Sequence, residues 1–213
     1  MKRHTIFALG EIYHICNKSI SNYEIFRKEE FSQRFLNICA YYSQGRKSKY
    51  SDFLRKEKIY NYVNLLQIAD SQYKCLSYCI MPDHYHLLIQ ASLNIAISTY
   101  IGKVENSYTR FYNLSNNRKG PLWQSSFRCT RIASNEQLLH VIRYIHLNPV
   151  TNSLISNPQD WKYSSHSLYL KQEILNSLKL VSIKSVGKFE KFVLDNQDYQ
   201  KRLRVMKSAL RDY

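Results

Sequence analysis

Residues 73–90 read YKCLSYCIMPDHYHLLIQ and contain two apolar runs on either side of a short turn. The first run, 73–80, and the second, 84–90, are rich in the aromatic and aliphatic residues that favour strands. The turn between them, residues 81–83 (MPD), has the residue types that favour reversal of the chain. The stretch therefore predicts a β-hairpin of two adjacent strands.

The segments around this hairpin predict alternating strands and helices. The expected elements are a strand at 8–16, a polar loop at 17–22, a helix that ends near Gly45, the hairpin, a helix at 95–113, a strand-like run around 122–132, and a helix from about Asn135 to Leu147 that Pro149 stops. This order indicates an α+β fold, an antiparallel sheet with helices packed on it.

Positive charge is the main bias of the composition. The 213 residues include 31 Lys and Arg against 16 Asp and Glu, a formal net charge of +15. This excess favours a polyanionic partner, with nucleic acid first and an anionic membrane surface second. Basic residues are concentrated in 46–58, which is expected to be an exposed connection, and in the tail from Lys171. The tail is expected to be a basic helical extension, 171–213, of a main domain at 1–170.

The remaining composition points to an intracellular globular protein. No stretch approaches the roughly 20 apolar residues of a membrane span, so a cytoplasmic location without membrane partners is expected. Five cysteines are present, and the one close pair, Cys75 and Cys79, has no second pair or histidine cluster of zinc-site spacing nearby. We therefore expect reduced core thiols.

Two histidines in the second hairpin strand are candidate metal ligands. His84 and His86 are two residues apart, so both imidazoles project from one face of the strand, about 7 Å apart along the backbone. Tyr85 and Leu87 occupy the opposite face, which is the pattern of a strand packed on a core. Taken alone, the pair is also typical of surface or hydrogen-bonded histidines.

The segment RYIHLNPV, 143–150, carries a second candidate pair. In a helix, Tyr144 and Asn148 share a face with Cβ atoms roughly 6 Å apart, so a phenol and an amide oxygen could reach one ion or phosphate. The alternative is that Tyr144 packs on the sheet while Asn148 caps a helix that Pro149 ends. The sequence does not decide whether two further histidines, His14 and His146, lie near a metal.

Three motifs together resemble the single-tyrosine HUH transposases, and within them the REP-associated tyrosine transposases. MPDHYHLLIQ is similar to the His-hydrophobic-His motif, LWQSSF to the LWQ-x-x-F segment, and RYIHLNPV followed by WKYSS to the YIHLNPV and WSS pattern. They occur in the family's order between about Tyr13 and Tyr169. The departure is Tyr85, which stands where the family prefers a plain hydrophobe.

The resemblance implies a ferredoxin-like HUH endonuclease fold and a metal-dependent DNA transposase. Such enzymes cleave single-stranded DNA near a hairpin and rejoin it through a covalent 5′-phosphotyrosine intermediate. It implies that Tyr144 is the nucleophile and that His84, His86 and Asn148 bind Mg²⁺ or Mn²⁺. A metal suits this chemistry because a free phenol is a poor nucleophile at neutral pH, so the phosphate must be polarised.

Further residues are expected to contact the DNA through phosphates or stacked bases: Lys103, Asn106, Arg110, Arg118, Lys119, Trp123, Arg128 and Arg131. For Trp123, packing in the core is the alternative. The expected partner is single-stranded or hairpin DNA, bound by a monomer or homodimer. Two other functions remain open, a non-catalytic nucleic-acid-binding protein and a replication or mobilisation initiator with the same nicking chemistry.

Overall fold

The computed structural model describes residues 10–57, 65–68, 71–92, 96–171 and 185–195. Four strands form one antiparallel sheet in the spatial order β2-β3-β1-β4. They are β1 (Ile12–Lys18), β2 (Tyr73–Ile80), β3 (His84–Ala91) and β4 (Arg128–Ile132). The helices are α1 (Glu29–Ser43), α2 (Tyr50–Glu57), α3 (Ile97–Ser115), α4 (Asn135–Thr151), α5 (His166–Tyr169) and α6 (Val186–Leu194).

The predicted α+β fold is confirmed. With α2 as an insertion, the chain runs β-α-β-β-α-β, and the strand order is that of a ferredoxin-like sheet. The hairpin strands match their predicted bounds to within one residue. Helix α1 ends at Ser43, just before Gly45, whose φ of +73° is a left-handed conformation that favours glycine.

Several expected element bounds are wrong. The basic connection at 46–58 contains α2, because Tyr50 and Phe53 turn inward and pack against the ring of Tyr41. The strand-like run around 122–132 is a strand only from Arg128. Before it, Trp123 forms an isolated β-bridge with Ser19, the residue that follows β1. The expected loop at 17–22 begins later, because β1 continues to Lys18.

Pro149 does not stop α4, which continues to Thr151. A proline removes its own N–H and crowds the carbonyl four residues earlier, and only two helical residues follow Pro149. Beyond it, the N–H groups of Asn152 and Leu154 donate to the carbonyls of Asn148 and Pro149. At the other end, the side chain of Ser134 accepts a hydrogen bond from the backbone N–H of Gln137 and caps the helix.

The chain divides into two compact units. The first contains Met1–Leu76 and Pro82–Arg131, and the second contains Ser77–Met81 and Ile132–Tyr213, so the division passes through β2. The expected boundary at residue 170 stays a prediction. Of the expected helical extension at 171–213, residues 172–184 and 196–213 lie outside the described residues. Within the described ranges, none of the helices has the length and apolarity that crossing a membrane requires.

Aromatic packing holds the helices of the first unit against one face of its sheet. The ring of Phe35 on α1 lies 4.9 Å from that of Tyr85 on β3 and 5.3 Å from that of Tyr108 on α3. The Tyr100 hydroxyl donates to the carbonyl of Cys39 at 3.0 Å. These contacts bury the Tyr85 face of β3 and direct its other face away from α1 and α3.

Candidate active site

The pairing of β1 with β3 places the two predicted histidines on one face of the sheet. In the antiparallel register, Cys16 lies opposite His86, Asn17 opposite Tyr85 and Lys18 opposite His84. Successive side chains of a strand point to opposite faces, so His84 and His86 lie on the face away from Tyr85. Their ring centroids are 5.1 Å apart.

A carboxylate orients the first imidazole of this pair. The Asp83 carboxylate accepts a hydrogen bond from His84 Nδ1 at 2.5 Å and pairs with the Lys18 ammonium at 3.1 Å. Burial acts to raise the pKa of Asp83, but the hydrogen bonds and charges of His84 and Lys18 outweigh it and hold that pKa at about 2. Because an ionised carboxylate can only accept, Asp83 would hold the proton on Nδ1 in the form of His84 that binds a metal, which leaves the lone pair on Nε2.

A third imidazole, His14 on β1, orients the second. His14 Nε2 lies 3.0 Å from His86 Nδ1, and the two rings stack with centroids 5.1 Å apart. Burial lowers the pKa of His14 to about 4 and, with the charges of His84 and His14, lowers the pKa of His86 well below its usual value. His86 is therefore neutral at pH 7, which is the form that binds metals.

Sequence reasoning left His14 and Asp83 without roles. Asp83 directly precedes His84 and stands inside the hairpin motif. The contact of His14 with His86 can be predicted only from the strand register. Cys16 lies directly opposite His86, and His14 is two residues before Cys16 on the same face of the sheet. In the described part of the chain, no group of three or more His, Cys, Asp or Glu side chains is arranged to hold a metal ion. The predicted set contains only two such residues, since its third ligand is the amide of Asn148.

Tyr144 lies on the solvent side of α4, where 43% of its surface is exposed. Its neighbours Ile145 and Leu147 are fully buried. Among the tyrosines that the structure describes, only Tyr144 and Tyr23 are exposed, while most of the others pack in the core. A nucleophile must reach its substrate, so this exposure favours Tyr144 over the core tyrosines.

Asn148, one turn after Tyr144, is 3% exposed. Its Oδ1 accepts a hydrogen bond from Asn152 Nδ2 at 2.8 Å. An amide oxygen has two lone pairs, so one remains available to a cation or a further donor. The structure thus brings His84 and His86 together in the first unit, and Tyr144 and Asn148 together in the second.

His146 anchors α4 in the second unit from the side opposite to Tyr144. Its Nε2 lies 2.8 Å from the Ser165 hydroxyl and 3.1 Å from the Ser77 hydroxyl. The Ser165 hydroxyl also accepts from the backbone N–H of Tyr78 at 2.9 Å. The WKYSS motif therefore ties the tyrosine helix to the second half of β2.

The described part of the basic tail completes the same core. Phe189 on α6 is fully buried, and its ring lies 4.9 Å from Tyr169 and 5.7 Å from His146. The Arg143 guanidinium lies 4.4 Å from the Phe192 ring. Helix α6 is therefore packed against α4 and is a structural part of the second unit.

Five of the residues expected to contact DNA lie on the surface of the first unit. Lys103, Asn106 and Arg110 share one face of α3, while Lys119 and Arg128 are exposed in the following turn and on β4. This placement leaves the charges of Arg110, Lys119 and Arg128 accessible to a phosphate backbone, while the Lys103 ammonium also donates to the carbonyl of Arg46 at 3.3 Å.

The other three make contacts within the protein. Arg118 donates to Asn113 Oδ1 at 2.8 Å and to the carbonyl of Pro121, and Arg131 forms a two-bond ion pair with Glu11 at 2.7 Å. The ring of Trp123 packs 5.6 Å from Tyr85, and its Nε1 donates to Thr109 Oγ1 at 3.1 Å. These contacts show that Trp123 packs within the protein, which was the alternative to a role in binding DNA. Stacking of Trp123 on bases stays a prediction.

Comparisons with known proteins point to one group. Residues 46–148 match the family model described as "Transposase IS200 like". A Haemophilus influenzae protein named as a REP-associated tyrosine transposase is 28% identical over 135 residues, which cover 56% of this chain and 77% of that protein. A solved REP-associated tyrosine transposase, bound to a REP hairpin, superposes with a TM-score of 0.60 at 13% identity, covering 87% of this chain and 93% of the other, and it shows the fold. The resemblance predicted from the motifs is confirmed.

A buried histidine in the second unit should make the stability of the protein depend on pH. His166 is 1% exposed, its ring nitrogens have no hydrogen-bond partner among the described residues, and burial lowers its pKa to about 4. The unfolded chain, with a His pKa of about 6.5, then binds more protons below that pH, so the free energy of unfolding should fall between pH 6.5 and 4. The loss approaches about 1.4 kcal/mol for each pH unit.

The His166→Phe variant keeps the ring contacts and removes the titrating group. In urea unfolding at pH 7 and pH 5, its free energy of unfolding should fall less than that of the parent. Equal losses in the two proteins would show that His166 is not the source of the pH dependence.

Proposed function

Because the chain is related in sequence to the IS200-like transposases, we propose that it is a metal-dependent transposase of single-stranded DNA that uses Tyr144 as its nucleophile. The observation that carries this proposal is the His84–His86 pair, with both imidazoles on one sheet face and both Nδ1 atoms already engaged. The proposed substrate is single-stranded DNA next to a hairpin, and the solved structure of similar fold is described as bound to a REP hairpin.

The donor set fits a divalent cation such as Mg²⁺ or Mn²⁺. Asp83 orients His84, His14 orients His86, and burial keeps His86 neutral, which are the conditions under which an imidazole ligates a metal. Asn148 would add an oxygen ligand of the kind that these ions prefer. When bound, the ion would supply Lewis-acid polarisation of the scissile phosphate.

Tyr144 performs the covalent step. Its phenolic oxygen loses a proton to solvent and attacks the phosphorus, forming a tyrosyl O–P bond. The bond between phosphorus and the 3′ oxygen breaks, and that oxygen takes up a proton to become a free 3′-hydroxyl. Attack by a 3′-hydroxyl on the phosphotyrosine reverses the sequence and rejoins DNA without ATP.

The charge distribution supports a DNA substrate. The chain carries a net charge of +15, and Lys103, Arg110, Lys119 and Arg128 present part of it on the surface of the first unit. Such residues bind the backbone of any sequence, while unpaired bases add stacking. The target sequence, the oligomeric state as monomer or homodimer, and a cytoplasmic location stay predictions.

The nucleophile is tested with a labelled hairpin DNA that has single-stranded flanks. The full chain with Mn²⁺ should form a covalent adduct, and peptide mapping should place the nucleotide on Tyr144. Tyr144→Phe removes one oxygen from an exposed ring, so the fold and DNA binding should persist while the adduct disappears. The matched control is Tyr23→Phe at the other exposed tyrosine, which should form the adduct as the parent does.

Two results count against this assignment. An adduct still formed by Tyr144→Phe, or a nucleotide mapped to another tyrosine, would exclude Tyr144. DNA binding without any adduct would favour a non-catalytic nucleic-acid-binding protein.

Graded loss of cleavage should distinguish a metal ligand from the residue that orients it. Loss of an outer partner of a metal ligand costs roughly 10–100-fold in activity, so Asp83→Asn should fall in that range. His84→Ala removes the ligand itself and should lower the rate by at least about a hundredfold. Cleavage rates at saturating Mn²⁺, with thermal unfolding as the check on folding, give the comparison, and full activity in His84→Ala would refute its role.

A further inference from the structure

The first unit contains a cavity of about 410 Å³ walled by α1, α2 and α3. This volume is within the range of about 300–1,000 Å³ that small-ligand sites occupy. The α2 wall belongs to the segment 46–58, which sequence reasoning treated as an exposed connection. The cavity is not used in the cleavage chemistry proposed above.

Positive charge predominates among the described residues that line this cavity. Its lining includes five cationic side chains and no Asp or Glu among the described residues, the cations being Arg34, Lys47, Lys49, Lys103 and Arg110. None of the ion pairs between described residues involves any of the five. A cleft lined by one sign of charge concentrates counter-ions, so the cavity attracts a polyanion.

Arg34 is held in place for this role by two aromatic rings. Its guanidinium carbon lies 4.5 Å from the Phe111 ring centroid and 5.3 Å from that of Tyr50. Attraction to the two rings restrains the guanidinium, whose N–H groups suit the oxygens of a phosphate. Little side-chain entropy then remains to be lost when an anion binds.

The same cavity has an apolar wall. Ile38, Tyr42, Tyr50 and Phe111 contribute to it, so the lining combines flat and aliphatic surface with cations. A free phosphate would use only the cations. A nucleotide uses both, since its base offers a flat face and its flanking phosphates offer charge.

The cavity and the histidine pair lie on opposite sides of the sheet in the first unit. Helix α1, one of the cavity walls, packs through Phe35 on Tyr85, and Tyr85 points away from His84 and His86. A nucleotide in the cavity is therefore not the one placed for cleavage at the histidines.

We propose that this cavity is a second DNA site, which binds one unpaired nucleotide of the single-stranded flank and its neighbouring phosphates. The proposal rests on the proposed function, because it takes the substrate to be single-stranded DNA. It adds a contact that recognises the flank without taking part in the covalent step.

Binding measurements on the full-length Tyr144→Phe protein, which cannot cleave, test this proposal. The double variant Lys47→Gln/Lys49→Gln removes two exposed cations of the cavity and leaves Arg34 in place. Its affinity for a hairpin with a single-stranded flank should fall about tenfold or more, and the salt slope should become shallower by about 1.4, or 0.7 for each lost phosphate contact. Its affinity for the same hairpin without a flank should stay within about twofold.

The matched control, Lys162→Gln/Lys188→Gln, removes the same charge from exposed positions of the second unit. It should bind flanked and unflanked hairpins with an equal, small loss. The proposal is overturned if the cavity variant loses affinity equally for both DNAs, or for neither, or if the parent does not bind the flanked hairpin. It is also overturned if the cavity variant keeps its affinity for the flanked hairpin but loses affinity for phosphatidylserine vesicles that the parent protein binds.

A second readout locates the nucleotide. A photoreactive thymine analogue, moved along the flank one position at a time, should cross-link to Tyr42, Tyr50 or Phe111 from one or two positions. Cross-links from the flank that never reach α1, α2 or α3 would refute the cavity as its site. Neither readout involves cleavage, so the cavity can fail while Tyr144 remains the nucleophile.

Discussion

The antiparallel pairing of β1 with β3 is the constraint on which both faces of the sheet depend. Its register sets Cys16 opposite His86 and Asn17 opposite Tyr85. A slip of one residue in the pairing would change which side chains of β1 lie beside the histidines and would remove His14 from His86. The arrangement of the three histidines is therefore a property of two strands far apart in sequence.

Helix α3 reinforces this register from the opposite face. Glu105 Oε1 accepts hydrogen bonds from the Tyr85 hydroxyl at 2.7 Å and from Asn17 Nδ2 at 2.8 Å, which are the two residues that oppose each other in the pairing. Burial raises the pKa of Glu105, and the bonds from Asn17 and Tyr85 act against that rise. The same helix presents Lys103 and Arg110 to the cavity, so one element connects the register of the histidine strands with the basic surface.

Local pattern predicted what depends on neighbours in sequence. Strand-favouring residues and the turn between them in 73–90 predicted both hairpin strands. The two-residue spacing predicted the common face of His84 and His86, and helical spacing predicted Tyr144 and Asn148 one turn apart. Local pattern did not predict contacts between segments that are distant in sequence. The place of His14 depends on register, and α2 was not predicted because Tyr50 and Phe53 are scattered among charges. Helix α4 continues past Pro149, where the N–H groups of Asn152 and Leu154 bond the carbonyls of Asn148 and Pro149. The roles of these residues in chemistry remain predictions.

The central claim is that His84 and His86 bind one metal ion through their imidazole nitrogens. Electron spin echo spectroscopy of Mn²⁺ added to the full chain measures nitrogen nuclei bonded directly to the ion. The account predicts coupling from two imidazoles in the parent protein and from one in His84→Ala or His86→Ala. Bound Mn²⁺ without nitrogen coupling, or coupling that both variants leave unchanged, would contradict it.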